Sequence, residues 1–190
     1  KVGAKQLLER AGSEEELPGD APLTGLQFHR DYVFAAQGSR LLRVRATLGM
    51  LFQFRVVREA LPDSVDAYCL TPDGYLLTSA GGKLAFYDPS EPKSPARMTL
   101  ESGLQQVRTL AYSPLPRPAE PLLYAFGATD SQGEQAGVYR LDASQDPQGR
   151  LGCQPVLIQP LAAPVAMAFD AGGALYVLDG ENLLRIEGDL

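Results

Sequence analysis

Few residues in this chain could do chemistry. His29 is the only histidine among 190 residues. It falls in a turn, and no second histidine exists to complete a metal or acid–base site, so it reads as polar surface. Cys69 and Cys153 are the only cysteines. Two are too few for a disulfide framework, and both are expected to be free thiols. The sequence holds no Gly-rich phosphate loop, no His-Glu metal motif, no cysteine pair at ligand spacing and no nucleophile elbow. No metal and no cofactor is therefore expected. What remains is recognition chemistry: Gln37, Asp66, Ser79, Arg108 and Asp179, charged or hydrogen-bonding groups suited to a protein or peptide partner.

These residues must be placed by strands. Residues 165–187, VAMAFDAGGALYVLDGENLLRIE, show the pattern most plainly. Met167 and Phe169 alternate with Ala166 and Ala168, the period-two signature of a strand with unlike faces. Asp170-Ala171-Gly172-Gly173 supplies turn chemistry. Leu175–Leu178 is a continuous run of strand formers, Asp179–Asn182 a second turn, and Leu183–Ile186 a third strand. Looser copies lie upstream in residues 23–44, 65–88 and 107–142. Aligned on the first strand, Phe28, Leu70, Tyr112 and Phe169 form one column, at steps of 42, 42 and 57 residues. Two positions earlier stand Leu26, Tyr68, Leu110 and Met167, and between them Gln27, Cys69, Ala111 and Ala168. A large apolar column thus alternates with a mostly small one, four times. The five candidate residues sit at first-strand starts (Asp66, Arg108) and second-strand ends (Gln37, Ser79, Asp179).

Several strands per unit, at a period near 42, resemble β-propeller blades. The last unit, with AFDAGGALYVLDGENLLRI, is similar to the NHL and gluconolactonase-like group. Residues 70–88, LTPDGYLLTSAGGKLAFYD, are equally similar to a degenerate WD-repeat or quinoprotein-type blade. The Trp-Asp dipeptide and the Gly-His pair are both missing. The resemblance implies an all-β chain: a β-propeller of four blade-like repeats at about 21–60, 61–103, 104–162 and 163–190, either a four-bladed ring or part of a larger propeller. The function it implies is a non-catalytic interaction or scaffolding module. The alternative it implies is a metal-dependent hydrolase of the gluconolactonase type, which holds a divalent cation on the axis with acidic and amide side chains at blade entrances. The corresponding positions here read Leu23-Thr24, Val65-Asp66, Val107-Arg108 and Pro164-Val165. One acid beside one arginine is a poor cage for a hard cation, and an Asp66–Arg108 salt bridge is expected instead.

Composition fits this reading. The chain is 45% hydrophobic and 21% charged, with 19 glycines and 15 prolines for many turns. No apolar run approaches the length of a membrane span. The net charge of −6 speaks against general nucleic-acid binding. Charge is unevenly spread, however: residues 21–60 carry +4, with six arginines against two acids, while residues 163–190 carry −4. Arg30, Arg40, Arg43, Arg45, Arg55 and Arg58 could dock an anionic partner. Pro114–Pro121 and the stretch DPSEPKSP read as stiff loops. Residues 1–20 form an N-terminal arm. Within it residues 4–10, AKQLLER, are expected to be a closing fourth strand for the last unit, with a helix as the competing outcome. If the four repeats are instead half of a larger ring, the other half is a missing part of the same chain or lies in another chain.

Overall fold

The computed structural model describes residues 23–29, 32–37, 40–45, 54–58, 65–88, 91, 94–115, 121–133 and 135–187. Its described residues contain strands and no helix. Two compact units divide the chain: Lys1–Asp63 with Asp88–Pro95, and Ser64–Tyr87 with Ala96–Leu190. In the first, β1 (Leu23–His29), β2 (Tyr32–Gln37), β3 (Arg40–Arg45) and β4 (Phe54–Arg58) form one antiparallel sheet in sequence order. Each strand returns beside the one before it, as short connections dictate. Arg43 lays its guanidinium over the Tyr32 ring, 4.7 Å from the centroid.

The second unit holds eleven of the described strands. β5 (Ala67–Leu70), β6 (Leu76–Ala80), β7 (Lys83–Tyr87) and β8 (Met98–Glu101) run up and down in order. So do β9 (Gln106–Tyr112), β10 (Leu123–Ala128), β11 (Ala136–Gln145) and β12 (Leu151–Pro160). A single parallel bridge, Gly152 to Glu101, joins β8 to β12 and makes one eight-stranded sheet. Its two edge strands, β5 and β9, lie against each other, so the sheet is nearly closed, like a barrel. β13 (Pro164–Phe169), β14 (Leu175–Asp179) and β15 (Asn182–Ile186) form a separate three-stranded sheet.

Local chemistry sets these strands. In the β13–β14 connection the Asp170 carboxylate accepts hydrogen bonds from the Gly172 and Ala174 amides, both at 2.9 Å. Gly173 there takes φ of 85°, a left-handed conformation that a side chain would strain. The Thr71–Tyr75 turn closes through its own backbone, with Gly74 N–H donating to the Thr71 carbonyl at 2.8 Å.

Two apolar cores hold the second unit, and both are built by the alternating columns. Ala67 and Cys69 of β5, with Leu77 and Leu84, meet Leu110, Leu123, Ala125, Tyr139 and Leu141. On the opposite face of the same β9–β12 strands, Tyr124, Phe126 and Val138 meet Met167, Leu175 and Val177, with Ala111 and Phe169 at the margin. The Tyr124 and Phe169 rings pack edge-on at 5.1 Å. A fully buried leucine such as Leu77 or Leu110 contributes about 2 kcal/mol through area removed from water. Both cysteines are free thiols, Cys69 inside the first core and Cys153 half-buried against it.

The all-β expectation holds, and the strands of residues 65–187 fall within a few residues of the positions that alternation and turn chemistry indicate. The postulated strand at residues 4–10 lies outside the described residues, as do most of the proline-rich stretch at 114–121 and half of the DPSEPKSP stretch at 88–95. The side chains of Arg30, Arg45, Arg55 and Arg58 lie outside them too.

Candidate functional site

Two of the five candidate residues line one cleft. Asp66, just before β5, and Arg108, in β9, border a cavity of about 550 Å³ together with Gly81, Gln105, Gln106 and Val107. The Asp66 side of the cleft is set by a hairpin. Asp66 N–H donates to the Ser79 carbonyl at 2.8 Å, and its carboxylate accepts the Gly81 N–H at 2.8 Å. The carboxylate therefore ties the start of β5 to the turn between β6 and β7.

That turn is fixed to the next connection by Ser102, which is fully buried. Its amide and hydroxyl both donate to the Gly82 carbonyl, at 2.9 and 2.5 Å, and its oxygen accepts the Leu104 N–H at 3.1 Å. Gly82 has φ of 79°, and a Cβ there would stand 2.2 Å from the Leu104 carbonyl oxygen, so only glycine fits. Beyond it, Gln105 N–H reaches the Ala128 carbonyl at 2.9 Å. The Gln106 side-chain amide donates to the Ser131 carbonyl at 2.7 Å.

Arg108 is positioned by an irregularity that alternation does not reveal. β9 pairs Thr109 with Phe126 and Val107 with Gly127, which leaves Arg108 as the extra residue of a β-bulge. A bulge re-aims its side chain out of the regular alternation. Arg108 is exposed. Its guanidinium has no hydrogen-bond or ion-pair partner among the described residues. The salt bridge expected with Asp66 is not formed: the carboxylate is held by the Gly81 amide, and the bulge directs the arginine on its own course. The cleft thus contains a committed acid, two amide side chains and a cation without a partner among the described residues.

The other three candidates are placed elsewhere. Ser79 pairs with Ala67 and Leu84 on the face turned into the core. It is fully buried, and its hydroxyl has no hydrogen-bond partner among the described residues. It is therefore withdrawn from the surface on which a partner could touch it. Gln37, in the first unit, is also buried. Strand-end position alone did not distinguish the core-facing residue from the rim-facing one. Asp179 serves the fold: its carboxylate accepts the Ala162 and Ala163 amides at 3.2 and 2.6 Å, tying the end of β14 to the segment before β13. Among the described residues no three His, Cys, Asp or Glu side chains converge as metal ligands.

A second cleft, of about 670 Å³, lies where β8 meets β12. Two ion pairs border it: Lys83–Glu101 at 3.8 Å and Arg150–Asp146 at 2.8 Å. Cys153 also lines it. Its thiol is pushed up by burial and, secondarily, by the Asp142 charge. No local signal marks this cleft, because it arises from a pairing between strands fifty residues apart in sequence. In comparisons with known proteins the chain matches no family model and no curated sequence.

Proposed function

We propose that this chain is a β-propeller-type repeat module that binds an extended, acid-bearing protein or peptide segment at the Asp66–Arg108 cleft, without catalysing a reaction. The observation that carries this reading is the Arg108 guanidinium, held on a bulge at the mouth of the cleft and unpaired with Asp66. An exposed arginine fork with no partner among the described residues is suited to a carboxylate from outside, which it grips through two parallel hydrogen bonds. The Gln105 side chain beside it supplies donor and acceptor groups for a peptide backbone. The propeller component is supported by the repeated up-and-down order of β5–β8 and β9–β12, followed by the three strands β13–β15. It is supported also by the large and small columns, which recur at the same place in each first strand.

The test is selection from a random peptide library, followed by titration of the selected peptides. Selected peptides should share an acidic residue, and Arg108→Glu should weaken their binding at least tenfold. Rising salt should weaken binding too. Arg150→Ala, at the other cleft, should leave it unchanged. Peptides bound equally well by the Arg108→Glu protein would overturn the assignment, as would failure to select any peptide.

A further inference from the structure

Two opposite charges border one cleft and do not meet. Asp66 is exposed just before β5, and Arg108 is exposed on the bulge of β9. Both line the cavity of about 550 Å³, a volume suited to a small ligand or a short stretch of chain. The Asp66 carboxylate is oriented there without being neutralised. Gly81 N–H donates to one of its oxygens, Oδ2, at 2.8 Å. An ionised carboxylate accepts through both oxygens, and Oδ1 has no hydrogen-bond partner among the described residues. The Gly81 amide carries no net charge. The basic side chain next along the hairpin, Lys83, lies against Glu101 at 3.8 Å instead.

Both charges are held on fixed backbone. The Asp66 amide donates to the Ser79 carbonyl at 2.8 Å, and buried Ser102 pins the hairpin through the Gly82 carbonyl. On the other wall Val107, buried in the first core, anchors the strand beside Arg108. Groups fixed before binding lose little freedom when a ligand arrives. An acid approaching Arg108 also approaches the Asp66 carboxylate, and like charges brought into one cleft repel. A ligand that carries a cation beside its acid meets a complementary group at each wall.

Resting on the reading of this cleft as a peptide site, we infer that its ligand is dipolar: an acidic side chain for Arg108 and, in the same segment, a lysine or arginine side chain for Asp66. Residues two apart in an extended segment point to the same side, so such a pair presents both charges to the cleft. Arg108 then grips the acid, and Asp66 determines specificity by disfavouring segments that carry acid without base.

The test uses peptides selected from a random library and resynthesised with both ends blocked, so that side chains supply their only charges. Each is titrated against the wild-type chain and against Asp66→Asn, which keeps an oxygen for the Gly81 amide and removes the charge. Selected peptides should carry a basic residue two positions from an acidic one. Changing that basic residue to alanine should weaken binding to wild type roughly threefold or more, and changing it to glutamate should weaken it further. Neither change should matter to the Asp66→Asn protein beyond the loss that variant already shows. If Asp66→Asn fails to fold by circular dichroism, the peptide changes on wild type decide alone, and unchanged affinity overturns the inference. Acidic peptides without a basic residue, dependent on Arg108 and indifferent to Asp66→Asn, overturn it too, and leave the acid-binding reading standing. Peptides indifferent to both residues, or no selected peptide at all, overturn both.

Discussion

Arg108 and Val165 hold the same place in successive first strands: each is the extra residue of a β-bulge. In β9 the register skips Arg108 between Thr109 and Val107, and in β13 it skips Val165 between Ala166 and Pro164. Both side chains are exposed. A shared backbone device therefore presents a guanidinium on β9 and an isopropyl group on β13.

Gly127 backs the bulge in β9. A Cβ there would stand 2.0 Å from the Gln106 carbonyl oxygen, a backbone atom that cannot swing aside. Gly127→Ala should force β9 and β10 apart at the cleft, at a cost of roughly 2–4 kcal/mol. Urea titration should show a lower midpoint, and binding at the cleft should be lost with it.

The Asp66 carboxylate holds the Gly81 amide across the mouth of the same cleft. Asp66→Ala should destabilise the protein by about 1 kcal/mol, the net scale of one such hydrogen bond with water free to compete. Asp66→Asn keeps an acceptor oxygen and should recover part of the loss. Equal urea midpoints for wild type and Asp66→Ala would show that the bond contributes nothing to stability.

The two thiols should differ in reactivity. Burial pushes the Cys69 thiol far above its ordinary range, and Cys153, half-buried, is raised as well. The thiolate is the reactive form, so the native protein should alkylate slowly at mildly alkaline pH. Cys153, which lines the second cleft, should react first. Cys69 should become labelled only with unfolding, which mass spectrometry of labelled peptides would follow. Prompt labelling of Cys69 under native conditions would contradict its place in the core.

Arg140 and Asp142 meet through two hydrogen bonds, at 2.6 and 2.9 Å, along β11. These bonds, reinforced by the arginine charge, hold the Asp142 carboxyl below its ordinary value, against the opposing effect of burial. A carboxyl depressed in the folded state contributes stability above its unfolded value and loses it as pH falls through the folded one. The pair is partly exposed, so its contribution is on the order of 0.5 kcal/mol. Asp142→Asn should therefore lower the urea midpoint slightly at neutral pH, with the difference vanishing in acid. A difference that instead grows with acidity would refute the pairing.

Much of the fold was legible in the sequence because its signals are local. The alternation of Met167 and Phe169 with Ala166 and Ala168 marks a strand wherever it occurs, since side chains of a strand alternate between faces. The same alternation foretold the unlike faces that Cys69 and Ala111 turn towards their neighbours. Asp66 and Arg108, which border one cleft, were both picked out because first-strand starts stand at a fixed place in the aligned segments. What only the tertiary structure decided depends on contacts distant in sequence. The bridge from Gly152 to Glu101 joins two four-stranded runs into a nearly closed sheet, and nothing in either segment announces the other. The bulge at Arg108 changes no residue type, so composition and period are blind to it. It nonetheless re-aims Arg108, whose guanidinium pairs with no described residue. Ser79 and Asp179 both stand at second-strand ends. Yet one is enclosed in the core and the other ties a loop, because face and neighbouring backbone, not position along the strand, fix what a side chain meets.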